Sequence, residues 1–547
     1  MARNMQDYWK TRNEFSWDVP ERFNFGADVV DRLAREADGP ALIWVNEAGD
    51  EQRFNFSDIS RLSSQCANAL SQRGIRKGDV VIIMLPRIPE WQIAMVGCLK
   101  LGAIPMPCIE MLTAKDLEYR IGHSGARGII CRDVHSEKFD GLLRDDMARL
   151  AVGEASGFDE WAQALTDASH NFTPAEMFAD DPAILYYTSG STGNPKGVLH
   201  ASRSLWAWRQ SAEFWLDIGP GDVMWCTADV GWSKAGTSIL FGPWGTGACC
   251  LFYDGPFLPE HRLKLLDRYG VTVYCAPGTE LFRVVEEDVQ AYNLSCLRHT
   301  VSSGETLNEV VAKKWRERTG IPILEGYGQT ETLMTLLNYP CMPVRDGSMG
   351  LPLPGLDLDV IDSEGRRLPA GVEGDIALMT PVPQLMLCYL HEPERTAESY
   401  IDSTEGRWFI TGDRGEKDPE GYFYYHGRRD DVISSAGYRI GPTEVENALL
   451  GHPSVLECAV IGSPHEERGE IVKAFVVPRP GTECNAELIR DIQEYVKQVT
   501  APYKYPREIE FIDVLPKTLT GKTQRKALRD KERSRFMKQH QLKTNVT

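Results

Sequence analysis

The sequence lacks the patterns by which metal sites and dithiol redox sites are usually recognised. Its 13 cysteines contain no CxxC pair, and the adjacent Cys249 and Cys250 do not have a metal-ligand spacing. No HExxH occurs among its 11 histidines. A zinc finger and a zinc-protease helix are therefore not expected, and the odd, scattered set of cysteines favours a reducing, cytosol-like compartment.

A long apolar run and an excess of positive charge are missing too. The most apolar stretch, residues 80–109, is interrupted by Pro86, Arg87, Glu90 and Lys100, so no membrane span is predicted. The first residues contain no apolar segment of signal-peptide length, which favours a cytoplasmic protein. With 78 acidic against 60 basic residues and a net charge of −18, nucleic acid is not an expected partner.

What the sequence does contain is an alternation of short apolar runs with helical patterns. The run VVIIML is followed by a helical stretch that begins at Pro89 and stops at Gly102. Further runs predicted as strands are AIPM, GIICR (128–132), ILYYT (184–188) and CCLFY (249–253). This alternation predicts an α/β fold with several helix-covered sheets, and 547 residues are enough for more than one domain.

The pattern changes after the stretch GRRDD. GPTEVENALLG predicts a helix from Pro442 to Gly451, and VLECAVIG and VKAFVVP predict two strands after it. We therefore expect a large N-terminal domain over residues 1–429 and a small α+β domain over residues 430–547. Residues 517–543 carry ten Lys and Arg against two acids, and most of these charges are expected to form a solvated basic tail.

The stretch YYTSGSTGNPKG, residues 186–197, surrounds Lys196 with glycines and hydroxyl side chains. Glycine lets backbone N–H groups converge on an anion, while hydroxyls add donors and the lysine adds charge, so this loop suits a polyphosphate. It is not a Walker A loop, because Asn194 and Pro195 separate Gly193 from the lysine. A plain turn between two strands is the structural alternative.

Five further stretches follow the loop in order, and the set resembles the signature motifs of adenylate-forming enzymes. They are SSGET (302–306), EGYGQTET (325–332), TGD (411–413), GRRDDVISSAGYRIGPTEVE and LPKTLTGKTQR (515–525). This superfamily includes acyl-CoA synthetases, peptide-synthetase adenylation domains and beetle luciferase. The stretches GYGQTE, GYRIGP, VKAFVV and TAPYKYPR look most like the AMP-forming medium-chain acyl-CoA synthetases.

The resemblance implies an acid-thiol ligase that runs two half-reactions. A carboxylate attacks the α-phosphorus of ATP and gives acyl-adenylate and pyrophosphate, and the thiol of coenzyme A then displaces AMP. ATP, Mg²⁺ and coenzyme A are the implied cofactors and co-substrates, and a small carboxylic acid is the implied substrate. The resemblance also implies that the small C-terminal domain is mobile, and it leaves a homo-oligomer open.

By the same resemblance, roles are carried over residue by residue. The loop from Thr188 to Lys196 would hold the β- and γ-phosphates, Thr330 would donate to the α-phosphate, and Glu331 would bind Mg²⁺. Tyr327 would stack on the adenine, and Asp413 would accept bonds from the ribose. The full set expected to bind ATP is Thr188, Ser189, Gly190, Ser191, Thr192, Gly193, Lys196, Gly304, Glu305, Thr306, Glu325, Gly326, Tyr327, Gly328, Gln329, Thr330, Asp413 and Arg428.

The C-terminal motifs carry the remaining catalytic expectations. Lys522 matches the family's catalytic lysine, whose charge would stabilise the negative charge that builds up at the reacting phosphorus. Asp430 matches the hinge about which the C-terminal domain rotates between the two half-reactions. The residues that resemble coenzyme A contacts are Gly437, Tyr438, Arg439 and Arg468.

Two residues bear on the size of the acid. Gly328 stands where acetate-activating relatives have a tryptophan that closes the acyl pocket, so a longer or bulkier acid is expected here. Trp232, in DVGWSKAG, matches the segment that lines this pocket, and packing in the core is its alternative role. A medium straight chain, a branched chain and an aryl acid all stay open, because one methylene changes binding by only about 1 kcal/mol.

Two other functions stay open beside the acyl-CoA synthetase. The first is an adenylate-forming ligase with another acceptor, such as a carrier-protein thiol. An aryl-CoA ligase, such as benzoate-CoA ligase, is a variant of the main hypothesis and not a separate function. The second is a nucleotide-binding protein without catalysis, against which Lys522, Glu331 and Asp413 argue.

Overall fold

The structure is a computed structural model of the chain. It describes residues 2–188, 195–304, 307, 309–428, 431, 433–435, 438–465, 469–500, 504–518 and 522–544. Contacts divide the chain into two compact units, one formed by residues 1–357 and 379–400 and the other by residues 358–378 and 401–547. The predicted domain boundary stays a prediction, because Arg429 and Asp430 lie outside the described residues.

The elements alternate as the sequence predicts. The strands are β1 Pro40–Asn46, β2 Glu51–Asn55, β3 Val80–Met84, β4 Ile104–Pro107, β5 Gly128–Arg132, β6 Ala148–Val152, β7 Asp159–Glu160, β8 Pro182–Thr188, β9 Lys196–Ala201, β10 Val223–Cys226, β11 Cys249–Asp254, β12 Val273–Cys275, β13 His299–Ser303, β14 Ile323–Gln329, β15 Leu333–Leu337, β16 Ser348–Pro352, β17 Leu358–Ile361, β18 Gly374–Thr380, β19 Cys388–Tyr389, β20 Tyr400–Ser403, β21 Gly406–Lys417, β22 Phe423–Arg428, β23 Ile433–Ser435, β24 Tyr438–Ile440, β25 Val455–His465, β26 Gly469–Pro478 and β27 Glu508–Phe511.

The helices lie between these strands. They are α1 Tyr8–Glu14, α2 Arg32–Glu36, α3 Phe56–Gln72, α4 Pro89–Leu101, α5 Ala114–Ser124, α6 Trp161–Thr166, α7 Ser202–Ala207, α8 Arg209–Ser211, α9 Ser233–Ala235, α10 Phe241–Gly245, α11 Pro259–Arg268, α12 Gly278–Val284, α13 Glu309–Thr319, α14 Pro393–Glu398, α15 Pro442–Leu450, α16 Ala486–Val499 and α17 Arg525–Thr544. Short π-helical turns cover Gly26–Asp31, Ala212–Leu216 and Gly236–Leu240, and 3₁₀ turns cover Asp133–Phe139 and Val289–Ala291.

The first unit contains three sheets. One is a parallel sheet in the order β4-β3-β5-β6-β7. A second has the order β16-β15-β14-β13-β12-β10-β11-β1-β2, and its strands from β14 to β1 are parallel. A small antiparallel sheet joins β19, β9 and β8. Because parallel strands end on the same side, the carboxyl ends of β10, β12, β13 and β14 form one common edge, the usual place for a ligand in such sheets.

Local sequence explains the elements that were predicted. Helix α4 starts with Pro89 in its first turn and ends at Gly102, whose φ of 75° is favoured by glycine. All of its residues except Glu90 are buried, as expected of a helix that is apolar on every side. Lys100 does not contradict this burial, because its ammonium lies 2.6 Å from the Asp31 carboxylate.

The second unit is smaller and mixed. It contains β17, β18, β21 and β22, with β20 on β21, and a separate sheet in the order β24-β23-β26-β25 with β27 beside β26. Helix α15 begins at Pro442 as predicted, and β25 and β26 follow it as an antiparallel pair. The predicted α/β class, with a large N-terminal part and a small C-terminal part, is confirmed.

Most of the described Lys and Arg side chains of α17 are exposed, as expected of a solvated basic tail, but Arg525 and Arg529 are exceptions. Arg525 donates two hydrogen bonds to the Glu446 carboxylate, at 3.0 and 2.5 Å, and Arg529 pairs with Asp431. These acids precede their arginine partners by 79 and 98 residues, so a charge count along the helix could not reveal them. In the described part of the chain, none of the helices has both the length and the apolar character that a membrane crossing requires.

Candidate active site

The two ends of the Gly- and Ser-rich loop are held together by the β8–β9 hairpin. Thr188 and Lys196 are direct partners in its register, so the loop leaves and re-enters the hairpin at one point. The Thr188 hydroxyl is buried and has no hydrogen-bond partner in the described chain. The residues between these ends that were predicted to bind phosphates lie outside the described residues; they are Ser189, Gly190, Ser191, Thr192 and Gly193.

The motif GYGQTE covers the end of strand β14 and the turn that follows it. Strand β14 pairs antiparallel with β15, and the three-residue turn 330–332 between them carries Glu331. Leu333 follows this turn with a φ of 53°, a left-handed conformation that is uncommon for leucine. Such conformations cost about 1–3 kcal/mol and concentrate at functional sites. The turn that presents Glu331 is therefore shaped by the surrounding structure rather than by local preference.

Glu331 is buried and stands in a hydrogen-bonded triangle with Lys196 and Tyr389. The Lys196 ammonium donates to Glu331 Oε1 at 2.5 Å and to the Tyr389 hydroxyl at 2.8 Å. The Tyr389 hydroxyl in turn donates to Glu331 Oε1 at 2.8 Å. Burial alone would raise the pKa of Glu331, but the charge of Lys196 and these bonds outweigh it and lower the pKa. The site therefore contains a carboxylate that stays ionised although it is buried.

Thr330 is fixed by two neighbours of the turn. His200 Nε2 donates to the Thr330 carbonyl at 2.7 Å, and burial lowers the pKa of His200 to about 4, so its ring is neutral at physiological pH. The Ser233 hydroxyl lies 3.0 Å from Thr330 Oγ1. This contact joins the GYGQTE turn to the segment that contains Trp232.

The carboxyl ends of β13 and β14 place the residues expected at the adenine side by side. Ser303 of β13 is the register partner of Gly326, and Gly304 follows with a φ of 95°. Glu325 Oε1 accepts the Leu307 backbone N–H at 3.1 Å. Tyr327 is half-buried, and its carbonyl accepts a bond from Thr335. Of the expected ATP residues in this region, Glu305 and Thr306 lie outside the described residues.

Gly328 is required by a close backbone approach. A Cβ at this position would lie 1.9 Å from the Leu333 carbonyl oxygen, so no side chain fits the present backbone. The register shift between Tyr327 and Gly328 accompanies this approach. Gln329 is half-buried at the end of β14. Trp232 is half-buried and packs against the core cluster of the five-stranded sheet, a contact compatible with either a pocket wall or the core.

In the second unit, the structure brings Asp413 and Arg428 together. They are register partners on β21 and β22, and Arg428 Nη1 lies 3.3 Å from Asp413 Oδ1. The Asp413 side chain is 5% exposed, while that of Arg428 is 43% exposed. Gly412 has a φ of 76°, and a Cβ there would lie 3.1 Å from Arg428 Nη2. The TGD motif thus holds a buried carboxylate on β21, next to a position whose backbone conformation favours glycine.

Lys522 is joined to Thr518 by two hydrogen bonds. Its backbone N–H donates to Thr518 Oγ1 at 3.1 Å, and its carbonyl accepts the Thr518 N–H at 2.7 Å. Lys522 is exposed. The backbone of Tyr438 and Arg439 forms β24, but their side chains are not described, and Asp430, Gly437 and Arg468 lie outside the described residues.

Sequence reasoning missed three residues of this site. Tyr389 lies in no recognised motif. It reaches Glu331 because strand β19 pairs with β9. His200 follows the loop on β9, where alternation would have predicted a buried side chain but not its bond to Thr330. Ser233 directly follows Trp232, and no sequence signal distinguishes it.

The residues present fit a magnesium ion bound together with phosphates. Among the described residues, no cluster of three or more His, Cys, Asp or Glu forms an all-protein cage. Mg²⁺ is usually held by one or two carboxylates and by substrate phosphates, and Glu331 supplies such a carboxylate. In the triangle, both bonds to its side chain end on Oε1.

Residues 29–390 match the profile of the AMP-binding enzyme family, and residues 444–522 match the AMP-binding enzyme C-terminal domain. The chain belongs to the AMP-binding enzyme family. The human mitochondrial acyl-coenzyme A synthetase ACSM3 is 41% identical over 550 residues, which cover 97% of this chain and 93% of that relative.

Solved structures resemble this AMP-binding enzyme over nearly the full chain. The anthranilate CoA ligase AuaEII in complex with anthranoyl-AMP has a TM-score of 0.85 and 30% identity, and covers 94% of this chain and 98% of that one. ATP-bound MatB from Rhodopseudomonas palustris has a TM-score of 0.83 and 26% identity, and covers 93% and 98%. The predicted resemblance to acyl-CoA synthetases, and the predicted class of acid-thiol ligase, are confirmed.

Proposed function

We propose that this AMP-binding enzyme is an AMP-forming acyl-CoA synthetase that activates a carboxylic acid larger than acetate. The observation that carries the proposal is the triangle of Lys196, Glu331 and Tyr389. It joins the end of a glycine- and hydroxyl-rich loop to an ionised carboxylate 135 residues further along the chain. A site of this kind suits a polyphosphate and its counter-ion together. The similar proteins support the same reaction. One is named an acyl-coenzyme A synthetase, one structure contains anthranoyl-AMP, and one contains ATP.

The chemistry requires the site to bring two anions together. A carboxylate and a triphosphate repel each other, so fixed positive charge and fixed donors lower the barrier most when they are already in position. Lys196 is held by Glu331 and Tyr389, and Thr330 is held by Ser233 and His200, so neither has to be ordered when ATP binds. Mg²⁺ held by Glu331 would supply further charge neutralisation at the phosphates.

In the proposed cycle, the second unit supplies the remaining groups. Asp413 is buried and would accept the hydroxyl groups of the ribose, with Arg428 beside it. Lys522 would place its charge at the α-phosphate during adenylation. Rotation about Asp430 would then replace Lys522 with the face of Gly437, Tyr438, Arg439 and Arg468, which would admit coenzyme A.

For the acyl group, Gly328 supports an acid larger than acetate. Without a side chain at this position the strand offers no wall to close the pocket, and the close approach of Leu333 excludes even a methyl group. Trp232 would line the same pocket. A medium-chain, a branched and an aryl acid are each compatible with these residues.

One assay tests the proposal against its alternatives. AMP and acyl-CoA are measured with ATP, coenzyme A and a panel of straight-chain acids of two to twelve carbons plus benzoate. We expect AMP and acyl-CoA in equal amounts with at least one acid longer than acetate. Pyrophosphate–ATP exchange without thioester would indicate a different acceptor, such as a carrier-protein thiol. Neither exchange nor AMP with any acid would indicate nucleotide binding without catalysis.

The cellular setting and assembly are separate proposals. A cytoplasmic location was expected from the sequence and stays a prediction, since the human relative is named as mitochondrial. A homo-oligomer also stays a prediction, which sedimentation of the purified chain would test.

A further inference from the structure

Residues 516–518 and 522–524 of the second unit lie side by side, and we call these two short segments the lysine arm because they include Lys522. An isolated backbone bridge and two hydrogen bonds between Thr518 and Lys522 join the segments. These bonds hold the arm together, but they do not fix its direction. The direction in which Lys522 is presented therefore depends on how the base of the arm is anchored.

The base of the lysine arm leads directly into helix α17, which begins at Arg525. Gln524 donates its backbone N–H to the Pro516 carbonyl at 2.8 Å and its side-chain amide to the Lys517 carbonyl at 2.9 Å. Both segments of the arm are thus tied together at the residue before Arg525, which is itself three residues after Lys522. A contact that fixes Arg525 also fixes the base of the arm.

Arg525 is fixed by Glu446 of helix α15. Its guanidinium donates from Nε to Glu446 Oε1 at 3.0 Å and from Nη2 to Glu446 Oε2 at 2.5 Å, two parallel bonds that match the planar shapes of the two groups. Glu446 Oε1 also accepts the backbone N–H of Val460, in β25, at 2.8 Å. The exposed fractions are 24% for the Arg525 side chain and 11% for that of Glu446. The base of the arm is thus attached to a carboxylate that the sheet already holds in place.

Asp431 adds a second attachment. Arg525 Nη1 lies 3.8 Å from Asp431 Oδ2, and Arg529, one turn further along α17, pairs with the same carboxylate. The Asp431 backbone N–H donates to the Arg428 carbonyl at 3.0 Å. Arg428 in turn lies beside Asp413, the carboxylate expected to bind the ribose. A continuous set of contacts therefore links the lysine arm to the pair of residues expected at the ribose.

An ion pair of this kind is weak evidence for a role in stability. Burial alone would lower the pKa of Arg525, but the charge of Glu446 and its hydrogen bonds outweigh burial and raise the pKa. Well-packed apolar residues of similar volume are often at least as stable as a buried ion pair. An apolar pair, however, would not fix one direction for the guanidinium and for the arm that precedes it. This geometry favours a role in positioning.

We propose that Arg525 is a positioning residue for the first half-reaction, and that its two bonds to Glu446 orient the lysine arm so that Lys522 reaches the α-phosphate. This inference rests on the proposed acyl-CoA synthetase function. Arg525 does not touch the substrate and acts only through the base of the arm. Because the proposed cycle uses Lys522 only in adenylate formation, loss of Arg525 should damage that step and spare thioester formation.

The test measures two rates on the full chain, with the acid that the wild type uses best: pyrophosphate–ATP exchange, and thioester formation from pre-made acyl-adenylate and coenzyme A. Arg525→Met should lower the exchange rate by about 100-fold, the effect of displacing a reacting group by about 1 Å. It should leave thioester formation largely unchanged, which also shows that the variant folds. Arg535→Met removes an arginine of the same helix whose side chain is 51% exposed, and this matched control should change neither rate.

Two further variants separate positioning from folding. Arg525→Lys keeps the charge but cannot form the two parallel bonds, so it should lose part of the exchange rate and no thioester formation. Glu446→Gln keeps an oxygen for the Val460 N–H but removes the charge that binds the arginine, and it should lower exchange selectively as Arg525→Met does. Combining Glu446→Gln with Arg525→Met should cause little further loss, because both changes remove the same contact.

The outcomes distinguish this inference from the general function. Full exchange in Arg525→Met, or equal losses of exchange and thioester formation, would overturn the positioning role while wild-type activity still supported the synthetase. If Arg525→Met does not fold, Arg525→Lys decides: a selective loss of exchange supports the role, and equal losses or no loss overturn it. Absence of exchange in the wild type with every acid would overturn both proposals.

Discussion

At the scale of single residues, the pair of Lys196 and Glu331 is the clearest link between stability and chemistry. Both side chains are largely buried, with exposed fractions of 22% and 9%. Removing one member of such a pair leaves an uncompensated charge, which costs more than the pair itself contributes. The same pair would order the phosphate-binding charge before ATP arrives.

Lys196→Met should lower the free energy of unfolding by about 3 kcal/mol and slow pyrophosphate exchange without abolishing it. Activity should survive in part, because Lys196 would hold the leaving phosphates and does not act at the reacting phosphorus. Urea unfolding and exchange rates measure the two effects. Lys264→Met, at an exposed pair with Glu260, is the matched control and should change neither. Complete loss of exchange in a folded Lys196→Met would contradict this role.

The pH dependence of this pair has a defined sign. The pKa of Glu331 in the folded chain lies below its ordinary value of 4.5. Its contribution to stability is therefore fully present above that value and is lost as the pH falls through the folded pKa. The difference in unfolding free energy between the wild type and Glu331→Gln should be largest near neutral pH and shrink below pH about 4.5. A difference that grows on acidification would show that Glu331 is protonated in the fold.

At the scale of elements, the β14–β15 hairpin depends on backbone approach at Gly328. Gly328→Ala should lower the free energy of unfolding by about 1–3 kcal/mol, because the new Cβ would meet the Leu333 carbonyl. The matched control is Gly122→Ala in helix α5, where no atom lies within 4 Å of the added Cβ. This control should raise stability by about 0.5–1 kcal/mol. If urea unfolding gives the same change in free energy for both substitutions, the two strands can move apart at Gly328 and Leu333 without a cost in stability.

Helix α5 contacts both ends of the glycine- and hydroxyl-rich loop 188–196 through two side chains that lie one turn apart. The Tyr119 hydroxyl donates to the Pro195 carbonyl at 3.0 Å, and His123 Nδ1 lies 2.7 Å from the Tyr187 hydroxyl. Burial first, and the neighbouring His391 second, lower the pKa of His123. The helix therefore contacts the chain at Tyr187, just before the loop, and at Pro195, near its end.

Tyr119→Phe removes one of these attachments and should raise KM for ATP about fivefold with little change in kcat, because a single hydrogen bond contributes about 1 kcal/mol. Initial rates at varied ATP measure this split. Tyr292→Phe removes a hydroxyl that bonds the exposed Glu260 and serves as the control. If KM for ATP is the same in both variants, the attachment does not position the loop.

Local sequence predicts elements far better than it predicts contacts between them. Helix α4, with its proline and glycine ends, and the pair β25 and β26 follow from patterns within a dozen residues. Tyr389 could not be predicted, because its role arises only when β19 pairs with β9 and brings it to Glu331. The pairing of Arg525 and Arg529 was missed for the same reason, as their acids are distant in the chain. The motifs could suggest a site because they are typical of a chemistry and not merely of a local conformation.

At the scale of the whole molecule, we propose that two half-reactions share one pocket and that the second domain moves between them. Asp430→Pro fixes φ at the proposed hinge, and it should leave adenylate formation intact while blocking thioester formation. Asp430→Ala, which removes the side chain but keeps the backbone freedom, is the control and should support both steps. Equal losses of both steps in Asp430→Pro would contradict a hinge at this position.

The central claim is that Lys522 acts only in the first half-reaction, and Lys522→Ala tests it most directly. Two rates are measured on the same preparation: pyrophosphate–ATP exchange, and thioester formation from pre-made acyl-adenylate and coenzyme A. Lys517→Ala, in the same stretch but paired with Glu457, is the control and should retain both. We expect that Lys522→Ala loses pyrophosphate–ATP exchange and largely retains thioester formation. Exchange that survives in Lys522→Ala would contradict it.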